Sequence, residues 1–353
     1  MPTLTRDDIR KIAYTVLCAV GAKDGHAAIV ADHLADANMT GHDSHGLIRV
    51  PQYVTIIKEG RLNPTADPEV VQESGAIVRV DGHHTFGQVV ALFATNLAIE
   101  KARESGISMA AMGKLGHTGR IGTYPEVIAK AGMVGIFCTG VTGPSASIVA
   151  PFGGAKGRLS TNPISFAFPY APGSPVLLDY ATSTYAEGKI RVYRNRGRQL
   201  PDKWVLDKNS VPTTDPNAFY DGGVILPFGG LTGGHKGFAL GFIVSLLGGV
   251  LGQVGQASDG GRSMTAGSTV IAIDAERLVP LDDIREAVAE QVAHVKDTPP
   301  LEGSKGVQFP GEYEVTNRRQ RLEEGVPVEE DTWKQVAQTI RDLGLRGELA
   351  GIG

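Results

Sequence analysis

Glycine spacing is the feature of this sequence that most restricts its fold. Glycine accounts for 46 of 353 residues, about 13% against a usual value of about 7%. Yet no two glycines are separated by a single residue until Gly351 and Gly353. The G-x-G-x-x-G turn of the Rossmann fold is therefore absent, and so are G-x-x-x-x-G-K-[ST], H-E-x-x-H, C-x-x-C and G-x-S-x-G. These absences disfavour Rossmann dehydrogenases, P-loop enzymes, zincins and α/β-hydrolases. So many glycines instead indicate tight turns, or backbone that must lie close to a ligand.

Composition and charge indicate a globular protein with a full core. Hydrophobic residues make up 42% and charged residues 20%, which is ordinary for a soluble chain. A net charge of −4 gives no reason to expect nucleic acid as a partner. The two cysteines, Cys18 and Cys138, cannot form a disulfide framework, so a reducing, cytoplasmic location is predicted.

The N-terminus and the longest uncharged stretch predict neither a signal peptide nor a membrane span. Charged residues occur from Arg6 onward, before any apolar run, which is not the order found in a signal peptide. The uncharged stretch runs from 237 to 258, but its solidly apolar part, 238–251, is only 14 residues long. A span needs about 20 residues, so we expect a buried core helix here.

The pattern of apolar residues divides the chain into helical ends and a mixed middle. Helices are predicted over 24–39, 50–58, 281–296 and 329–343, and at the N-terminus after a capping box of Thr5 and Asp8. Short strands are predicted at 76–82, 106–113, 134–140, 164–169, 176–181 and 269–274, with helices over 89–103 and 236–251 between them. We therefore predict a helical domain of residues 1–75 together with 276–353, and a mixed α/β domain of residues 76–275. The segment 195–234 reads as an irregular loop, which is often part of a binding site.

The segment from Gly41 to Arg49 carries residues suited to acid–base chemistry. His45 is a candidate general acid or base near neutral pH, and Arg49 could bind a carboxylate through two hydrogen bonds. The two would share a face if this segment is helical, or could still converge within a loop. Two alternatives stay open: a solvated loop capped by Asp43 or Ser44, and a metal site formed by His42, Asp43 and His45.

Four further segments combine glycine with polar residues, and each has a structural alternative. They are 115–124, 151–163, 179–183 and 226–238. The first has amide groups that could face an anion where a strand meets a helix, with Gly119 allowing close approach of a ligand. Asp179 lies at a predicted strand end and could accept a hydrogen bond from a ribose hydroxyl, or orient a histidine. Lys236 begins an apolar helix and could contact a phosphate. Each of these segments could equally be a turn with ordinary surface charges.

In this order and spacing, the segments resemble the malate/L-lactate dehydrogenase family with the non-Rossmann fold. The matching stretches are SHGLIRVPQYV (44–54), GHTGRIGTYPEVIAKAGMVGI (116–136), APFGG with STNPISFAFP (150–169), LLDYATSTYAEGKI (177–190), ILPFGG (225–230), GHKGFALGFIVSLLGGVL (234–251) and FPGE (309–312). The resemblance implies an α/β (α+β) protein whose NAD(P)-binding domain has a mostly antiparallel sheet, joined to a helical domain formed by both chain ends. It also implies a homodimer with the active site near the subunit interface. The implied activity is reversible NAD(P)-dependent reduction of a small 2-oxo or 2-imino acid, such as the acids related to malate or lactate.

The resemblance also implies roles for individual residues. His45 matches the proposed proton donor of some members, and His117 matches the residue assigned as proton acceptor in others. Ser44 and Arg49 would position the substrate carboxylate. The implied cofactor-binding residues are Gly119, Thr161, Asn162, Asp179, Ala181, Thr182, Ser183, His235, Lys236, Pro310, Gly311 and Glu312. No metal is implied, and the cofactor is NAD or NADP.

Four positions depart from the family pattern. They are Thr118 in place of Phe, Ser160 in place of Gly, Ser245 in place of an acidic residue, and Gly140 in place of Asn. The leading hypothesis is a 2-hydroxy acid dehydrogenase. These departures leave open a non-catalytic member that only binds NAD(P). A metal-dependent lyase that uses His42, Asp43 and His45 is the alternative from another enzyme class.

Overall fold

The computed structural model describes residues 2–143, 147–171, 174–252 and 266–352. Its helices are α1 (Arg6–Ala19), α2 (Asp24–Met39), α3 (Val50–Lys58), α4 (Gly87–Ser105), α5 (Thr123–Lys130), α6 (Glu187–Asn195), α7 (Pro216–Tyr220), α8 (Gly230–Ser245), α9 (Leu281–Lys296), α10 (Glu312–Glu324) and α11 (Glu330–Asp342). The helices predicted over 24–39, 50–58 and 281–296 are confirmed with these bounds. Among the described residues, no helix combines the length and the apolar character needed to cross a bilayer.

One seven-stranded sheet forms the centre of the molecule. The strands are β1 (Thr3–Leu4), β2 (Glu69–Ser74), β3 (Ile77–Thr85), β4 (Ile107–Leu115), β5 (Val134–Gly140), β6 (Pro163–Ala171), β7 (Ser174–Ala181), β8 (Val205–Leu206), β9 (Pro212–Thr213), β10 (Val224–Ile225), β11 (Ala266–Ile273) and β12 (Val326–Pro327). The large sheet has the order β2-β3-β4-β11-β5-β6-β7. Only β3 and β4 run parallel; the other neighbours are antiparallel. The predicted mixed α/β fold with a mostly antiparallel sheet is confirmed.

Strand β11 enters the middle of the sheet and has helical segments on both faces. Val270 and Ala272 are fully buried in the cluster that includes residues of α4 and α5. Thr269 directly precedes Val270 and therefore points to the opposite face, where its hydroxyl donates to the Leu247 carbonyl at 2.7 Å. Leu247 belongs to a single π-helical turn, Leu246–Val250, that continues α8. The chain after α8 thus covers the face of the sheet opposite α4.

Both chain ends contribute to a second large core. Strand β1 pairs with β12, and one apolar cluster combines α1, α2 and α3 with residues 326–349. The predicted capping box is confirmed, since Asp8 N donates to Thr5 Oγ1 at 3.1 Å and Thr5 N donates to Asp8 Oδ2 at 2.9 Å. The division into domains at residues 75 and 276 stays a prediction. Strand β2, before that first boundary, pairs within the large sheet, and α9, after the second, packs on β6.

The prediction of an irregular loop over 195–234 was wrong. This segment contains α7 and a three-stranded sheet of order β10-β8-β9, and its Val205 and Ile225 are fully buried in an apolar cluster shared with Val149 and Ile190. The polar residues form turns between very short strands: Asp207 Oδ1, for example, accepts from the amides of Asn209 and Val211. Two-residue strands are too short to show an apolar alternation, which is why the pattern was missed.

The prediction that 236–251 forms a buried helix was also wrong in part. Helix α8 begins earlier, at Gly230, and only one of its faces is buried. At Gly241 a β-carbon would lie 2.6 Å from Thr182 Oγ1, so glycine permits close packing on that face. Phe242 and Ile243 face solvent, at 47% and 52% exposure, and Val250 in the following turn is 54% exposed. Residues 253–258 of the uncharged stretch lie outside the described residues.

Candidate active site

The segment that carries His45 and Arg49 folds as two short 3₁₀ turns. These turns are Asp43–His45 and Leu47–Arg49, and α3 begins immediately afterwards. Asn38 fixes the segment from α2, because its Oδ1 accepts from Leu47 N at 2.8 Å. A β-carbon at Gly46 would lie 2.1 Å from that same oxygen. His45 and Arg49 therefore lie in a segment of short turns before α3 and not in one continuous helix. Glycine is required at position 46.

Arg49 is buried and held by hydrogen bonds within its own segment. It is 6% exposed, and its Nε donates to the Ser44 carbonyl at 2.7 Å, while Nη1 donates to Gln52 Oε1 at 2.7 Å. Burial lowers the pKa of Arg49. A buried guanidinium whose hydrogen-bond partners among the described residues are neutral is well suited to bind a carboxylate.

The two histidines predicted to be catalytic lie together. The rings of His45 and His117 stack with centroids 5.5 Å apart and planes 13° from parallel. Nδ1 of His45 is 3.0 Å from Ser44 Oγ, and Nδ1 of His117 is 2.9 Å from Tyr53 Oη. Because both Nδ1 atoms are engaged, Nε2 is the nitrogen that each ring can offer to a substrate. We call Ser44, His45, Arg49, Tyr53 and His117 the histidine–arginine cluster.

Tyr53 and Gln88 orient His117, and no sequence pattern predicts a role for either residue. Tyr53 comes from α3 and Gln88 from α4, and the Gln88 amide nitrogen lies 2.7 Å from Tyr53 Oη. Burial raises the pKa of Tyr53 to about 12, so its hydroxyl keeps its proton at neutral pH. These hydrogen bonds link Gln88, Tyr53 and His117, which lie in three separate parts of the sequence and are brought together by the fold.

Burial and positive charge keep both imidazoles neutral before a ligand binds. Burial, followed by the charge of Arg49, lowers the pKa of His45 well below 6.5. The same two causes, in the same order, lower the pKa of His117 well below 6.5. A neutral imidazole can accept a proton at neutral pH, as a general base must.

A glycine turn after β4 positions His117. Gly119 has φ of +70°, and a β-carbon there would lie 2.2 Å from His33 Nε2. His33 Nε2 accepts from Arg120 N at 2.9 Å, and burial followed by the charge of Arg120 lowers the pKa of His33 to about 3. Asp179 Oδ2 accepts from Gly122 N at 2.8 Å. The anion at this turn is thus the protein's own carboxylate, and Gly119 is required for packing.

Most other predicted cofactor residues use their polar atoms within the protein. Thr182 Oγ1 donates to the carbonyls of Thr161 and Asn162 at 3.1 and 2.9 Å. Asn162 Nδ2 donates to Gly241 O at 3.0 Å, and Ser183 Oγ donates to Tyr185 O at 2.6 Å. Ala181 pairs with Pro163 between β7 and β6. The structure thus brings 161–163, 181–183 and α8 together as one packed unit.

The remaining predicted residues lie apart from this unit. His235 and Lys236 are exposed on the first turns of α8. Pro310 accepts from Leu177 N at 2.9 Å, Gly311 precedes α10 with φ of +98°, and Glu312 Oε1 lies 2.5 Å from Lys296 Nζ. The last three residues therefore contact β7 and α9. A cleft beside His117 is lined by Gln52, Ile56, Arg61, Leu62, His84, Leu115 and Gly116, and Lys236 does not line it.

The three side chains of the metal alternative have separate partners. His42 Nε2 lies 2.9 Å from Glu314 Oε1, whereas Asp43 is bound by Arg321 at 2.6 and 3.0 Å. In the described part of the chain, no group of three His, Cys, Asp or Glu side chains is placed to hold a metal ion. This arrangement gives the metal-dependent lyase hypothesis no support.

Comparison with known proteins identifies the family. Residues 4–337 match the model of the malate/L-lactate dehydrogenase family. Hydroxycarboxylate dehydrogenase B of Escherichia coli (strain K12) is 37% identical over 337 residues, which cover 93% of this chain and 91% of that protein. The solved malate dehydrogenase of Entamoeba histolytica has a TM-score of 0.92 at 27% identity, with 97% and 98% of the two chains covered. Sulfolactate dehydrogenase of Methanocaldococcus jannaschii has a TM-score of 0.84 at 34% identity, with 98% of each chain covered.

These matches extend over nearly the whole chain and agree with the fold and with the resemblance of the separate segments. Dehydrogenases of this family use a nicotinamide cofactor. This chain belongs to the malate/L-lactate dehydrogenase family, and it is a hydroxy acid dehydrogenase.

Proposed function

We propose that this enzyme interconverts a small 2-hydroxy acid and its 2-oxo acid, or a related 2-imino acid, with NAD or NADP as the cofactor. The observation that carries this proposal is the histidine–arginine cluster, in which two stacked imidazoles lie beside a buried guanidinium. The reaction needs one group to bind the carboxylate and another to move the hydroxyl proton, and the cluster offers both.

Arg49 and Ser44 are the proposed carboxylate-binding residues. Arg49 is fixed by the Ser44 carbonyl and by Gln52, so little side-chain freedom is lost when an anion binds. A carboxylate held there by two hydrogen bonds would fix which face of C2 is presented for reaction. This orientation is the proposed basis for selecting 2-hydroxy acids over simple alcohols.

His117 is the proposed proton-transfer residue, with His45 stacked against it. A catalytic base is commonly oriented by a third group, and Tyr53 with Gln88 orients His117 through Nδ1. In oxidation, C2 of the substrate loses a hydride and the hydroxyl proton moves to Nε2 of the imidazole. This requires the neutral ring to carry its own proton on Nδ1, donated to Tyr53 Oη. In reduction, the imidazolium returns that proton to the developing alkoxide.

The start of α8 is the proposed site for the cofactor phosphates. At Gly230 and Gly233 nothing lies within 4 Å of where a β-carbon would be, so the backbone at the helix N-terminus is open. Lys236 is exposed in the next turn of the helix, and its positive charge, together with the positive end of the helix dipole, suits an anionic group. When bound, the nicotinamide supplies or accepts the hydride. The predicted residues from Gly119 to Glu312 stay proposals for this cofactor, and both NAD and NADP remain candidates.

The exposed apolar face of α8 supports the proposed homodimer. Phe242, Ile243, Leu246 and Val250 are each at least 38% exposed, and a contiguous apolar patch of this kind is typical of an interface. A second copy is the proposed occupant, in the cytoplasm. In analytical ultracentrifugation the protein should sediment as a dimer, and Ile243→Glu should sediment as a monomer. A monomeric wild-type protein would contradict this proposal.

Fluorescence titration combined with turnover tests the proposed function. NADH and NADPH should each be titrated while nicotinamide emission is followed, and oxidation of a panel of 2-hydroxy acids should be measured. Binding of at least one cofactor and turnover of at least one acid are expected, and Arg49→Gln should remove turnover while cofactor binding persists. Cofactor binding without oxidation of any acid would instead support the non-catalytic alternative.

A further inference from the structure

The first turn of α6 lies directly against the proposed carboxylate-binding residues. At Gly188 a β-carbon would lie 2.9 Å from Ser44 Cβ and 3.0 Å from Arg49 Nη2. A larger residue would therefore separate α6 from the cluster. Arg191 follows Gly188 by three residues and so lies on the same face of the helix. Arg191 therefore projects from the face of α6 that packs against the cluster.

Arg191 is held in position by two side chains. Its Nε donates to Glu187 Oε1 at 3.1 Å, and its Nη2 donates to both carboxylate oxygens at 2.9 Å. The Tyr220 hydroxyl, from α7, donates to the same Oε1 at 2.9 Å. Such paired hydrogen bonds fix the plane of the guanidinium. The Arg191 side chain is 32% exposed, so ligands can reach it.

The charge of Arg191 reaches the cluster. The pKa of His117 is lowered by burial first and then by the positive charges of Arg49, His33 and Arg191. The pKa of Arg49 is lowered chiefly by burial, and Arg191 adds to this effect. Two like charges beside one site repel each other, and bound anions relieve that repulsion.

The charges at this site balance a substrate with two negative charges. Arg49 and Arg191 contribute two positive charges and Glu187 one negative charge, which leaves +1. In the direction of reduction the proton-donating imidazolium adds one positive charge, and in the direction of oxidation the oxidised nicotinamide adds one. Both reactive states therefore carry +2, which a dianionic acid neutralises and a monoanionic acid does not.

We propose that Arg191 binds a second anionic group of the substrate, so that the preferred acids carry another carboxylate or a sulfonate at the end remote from C2. This inference rests on the proposed function and adds the substrate class to it. Arg49 binds the carboxylate next to C2, Arg191 binds the remote oxyanion, and Glu187 with Tyr220 positions Arg191.

The experiment compares malate with 2-hydroxybutyrate, a monoanion of the same chain length. The wild-type enzyme should have the higher kcat/KM for malate. Arg191→Gln should lower kcat/KM for malate about 10- to 100-fold, the range for a lost charge-assisted hydrogen bond. It should change kcat/KM for 2-hydroxybutyrate by less than about threefold, and Arg191→Lys should restore part of the loss for malate.

Arg196→Gln is the matched control. Arg196 follows the same helix but pairs with Glu329 at the surface, so its loss should leave the malate preference unchanged. Equal losses for both acids in Arg191→Gln, or no malate preference in the wild type, would overturn the inference while the proposed function stands.

If neither acid is turned over, calorimetric titration distinguishes failure of the proposed function from failure of the inference about Arg191. Absence of turnover with a wider panel of 2-hydroxy acids would contradict the proposed function. Malate should still bind more tightly than 2-hydroxybutyrate to the wild type, and Arg191→Gln should remove that difference. Equal binding of the two acids to the wild type would overturn the inference.

Discussion

The histidine–arginine cluster and the packed unit around Thr182 use their polar atoms in opposite ways. In the cluster, His45 and His117 are each anchored through Nδ1, which leaves Nε2 for a ligand. In the unit of β6, β7 and α8, Thr182 Oγ1 and Asn162 Nδ2 donate to backbone carbonyls. The first region therefore leaves ring nitrogens available to a ligand. In the second region these polar atoms hold the strands and the helix together, and the resemblance predicts both regions as binding sites.

The largest expected effect is on turnover, and it should differ between variants of the two histidines of the cluster. His117→Gln should lower turnover at least about 100-fold, the usual contribution of a general acid or base, because Tyr53 and Gln88 orient this ring for proton transfer. His45→Gln should lower turnover about tenfold, since His45 supports His117 by stacking. Steady-state kinetics with one 2-hydroxy acid measures both, with the exposed His294→Gln as a control. A larger loss in His45→Gln would transfer the role to His45.

Adding a methyl group at Gly119 tests how strongly the stability of the protein depends on close packing in the turn that positions His117. Gly119→Ala should lower the free energy of unfolding by about 2–3 kcal/mol, because it combines left-handed strain with a clash against His33. Gly60→Ala is the control: it has φ of +69° but nothing within 4 Å, so it should cost about 1 kcal/mol. Chemical denaturation gives both values, and equal losses would show that the contact with His33 is unimportant.

The pH dependence of oxidation should reveal the charge of Arg49. A base must be deprotonated, so kcat/KM for the acid should stay constant as pH falls through 6.5 and decline only below the lowered pKa of the imidazole. A bound carboxylate neutralises Arg49 and removes one cause of that lowering. The decline of kcat should therefore begin at a higher pH than the decline of kcat/KM. A decline of kcat/KM that begins above pH 6.5 would contradict the low pKa.

The smallest effect concerns the packed unit. Thr182→Val removes the hydroxyl proton that is shared between two carbonyls and should lower the free energy of unfolding by about 1 kcal/mol. Because the hydroxyl is already engaged, the Kd for the cofactor should change less than about threefold. Lys236→Gln should do the reverse, weakening the cofactor about 5- to 10-fold with no change in stability. A large loss of cofactor affinity in Thr182→Val would show that this unit binds the cofactor directly.

Local sequence patterns predicted the elements that are long enough to show a period. Helix α2 and the central strands β4 and β5 appeared where apolar spacing and glycine turns placed them. Helix α10 was missed, because Glu312–Glu324 contains almost no apolar residues and no period can be read from it. The strands of the 195–234 segment were missed because two residues cannot establish an alternation.

The order of strands could not be read in the same way. Strand β11 lies between β4 and β5, although more than a hundred residues separate it from either one in the sequence. Its alternation predicts a strand but does not predict which strands lie beside it, because strand pairing depends on contacts between residues that are far apart in the sequence. Which face of α8 is exposed could not be predicted for a related reason, because glycine on the opposite face determines which side packs.

The sequence by itself determined the chemistry available to this protein: the absence of a Rossmann turn, an early histidine and arginine, and the segments that resemble one dehydrogenase family. Only the tertiary structure decided which polar atoms are free to use that chemistry. His117 forms a hydrogen bond with Tyr53, which is 64 residues away in the sequence, and the Asp179 carboxylate accepts a hydrogen bond from the Gly122 amide. Whether a side chain acts on a ligand or holds the fold depends on burial and on hydrogen-bond partners, and both are set by residues far away in the chain.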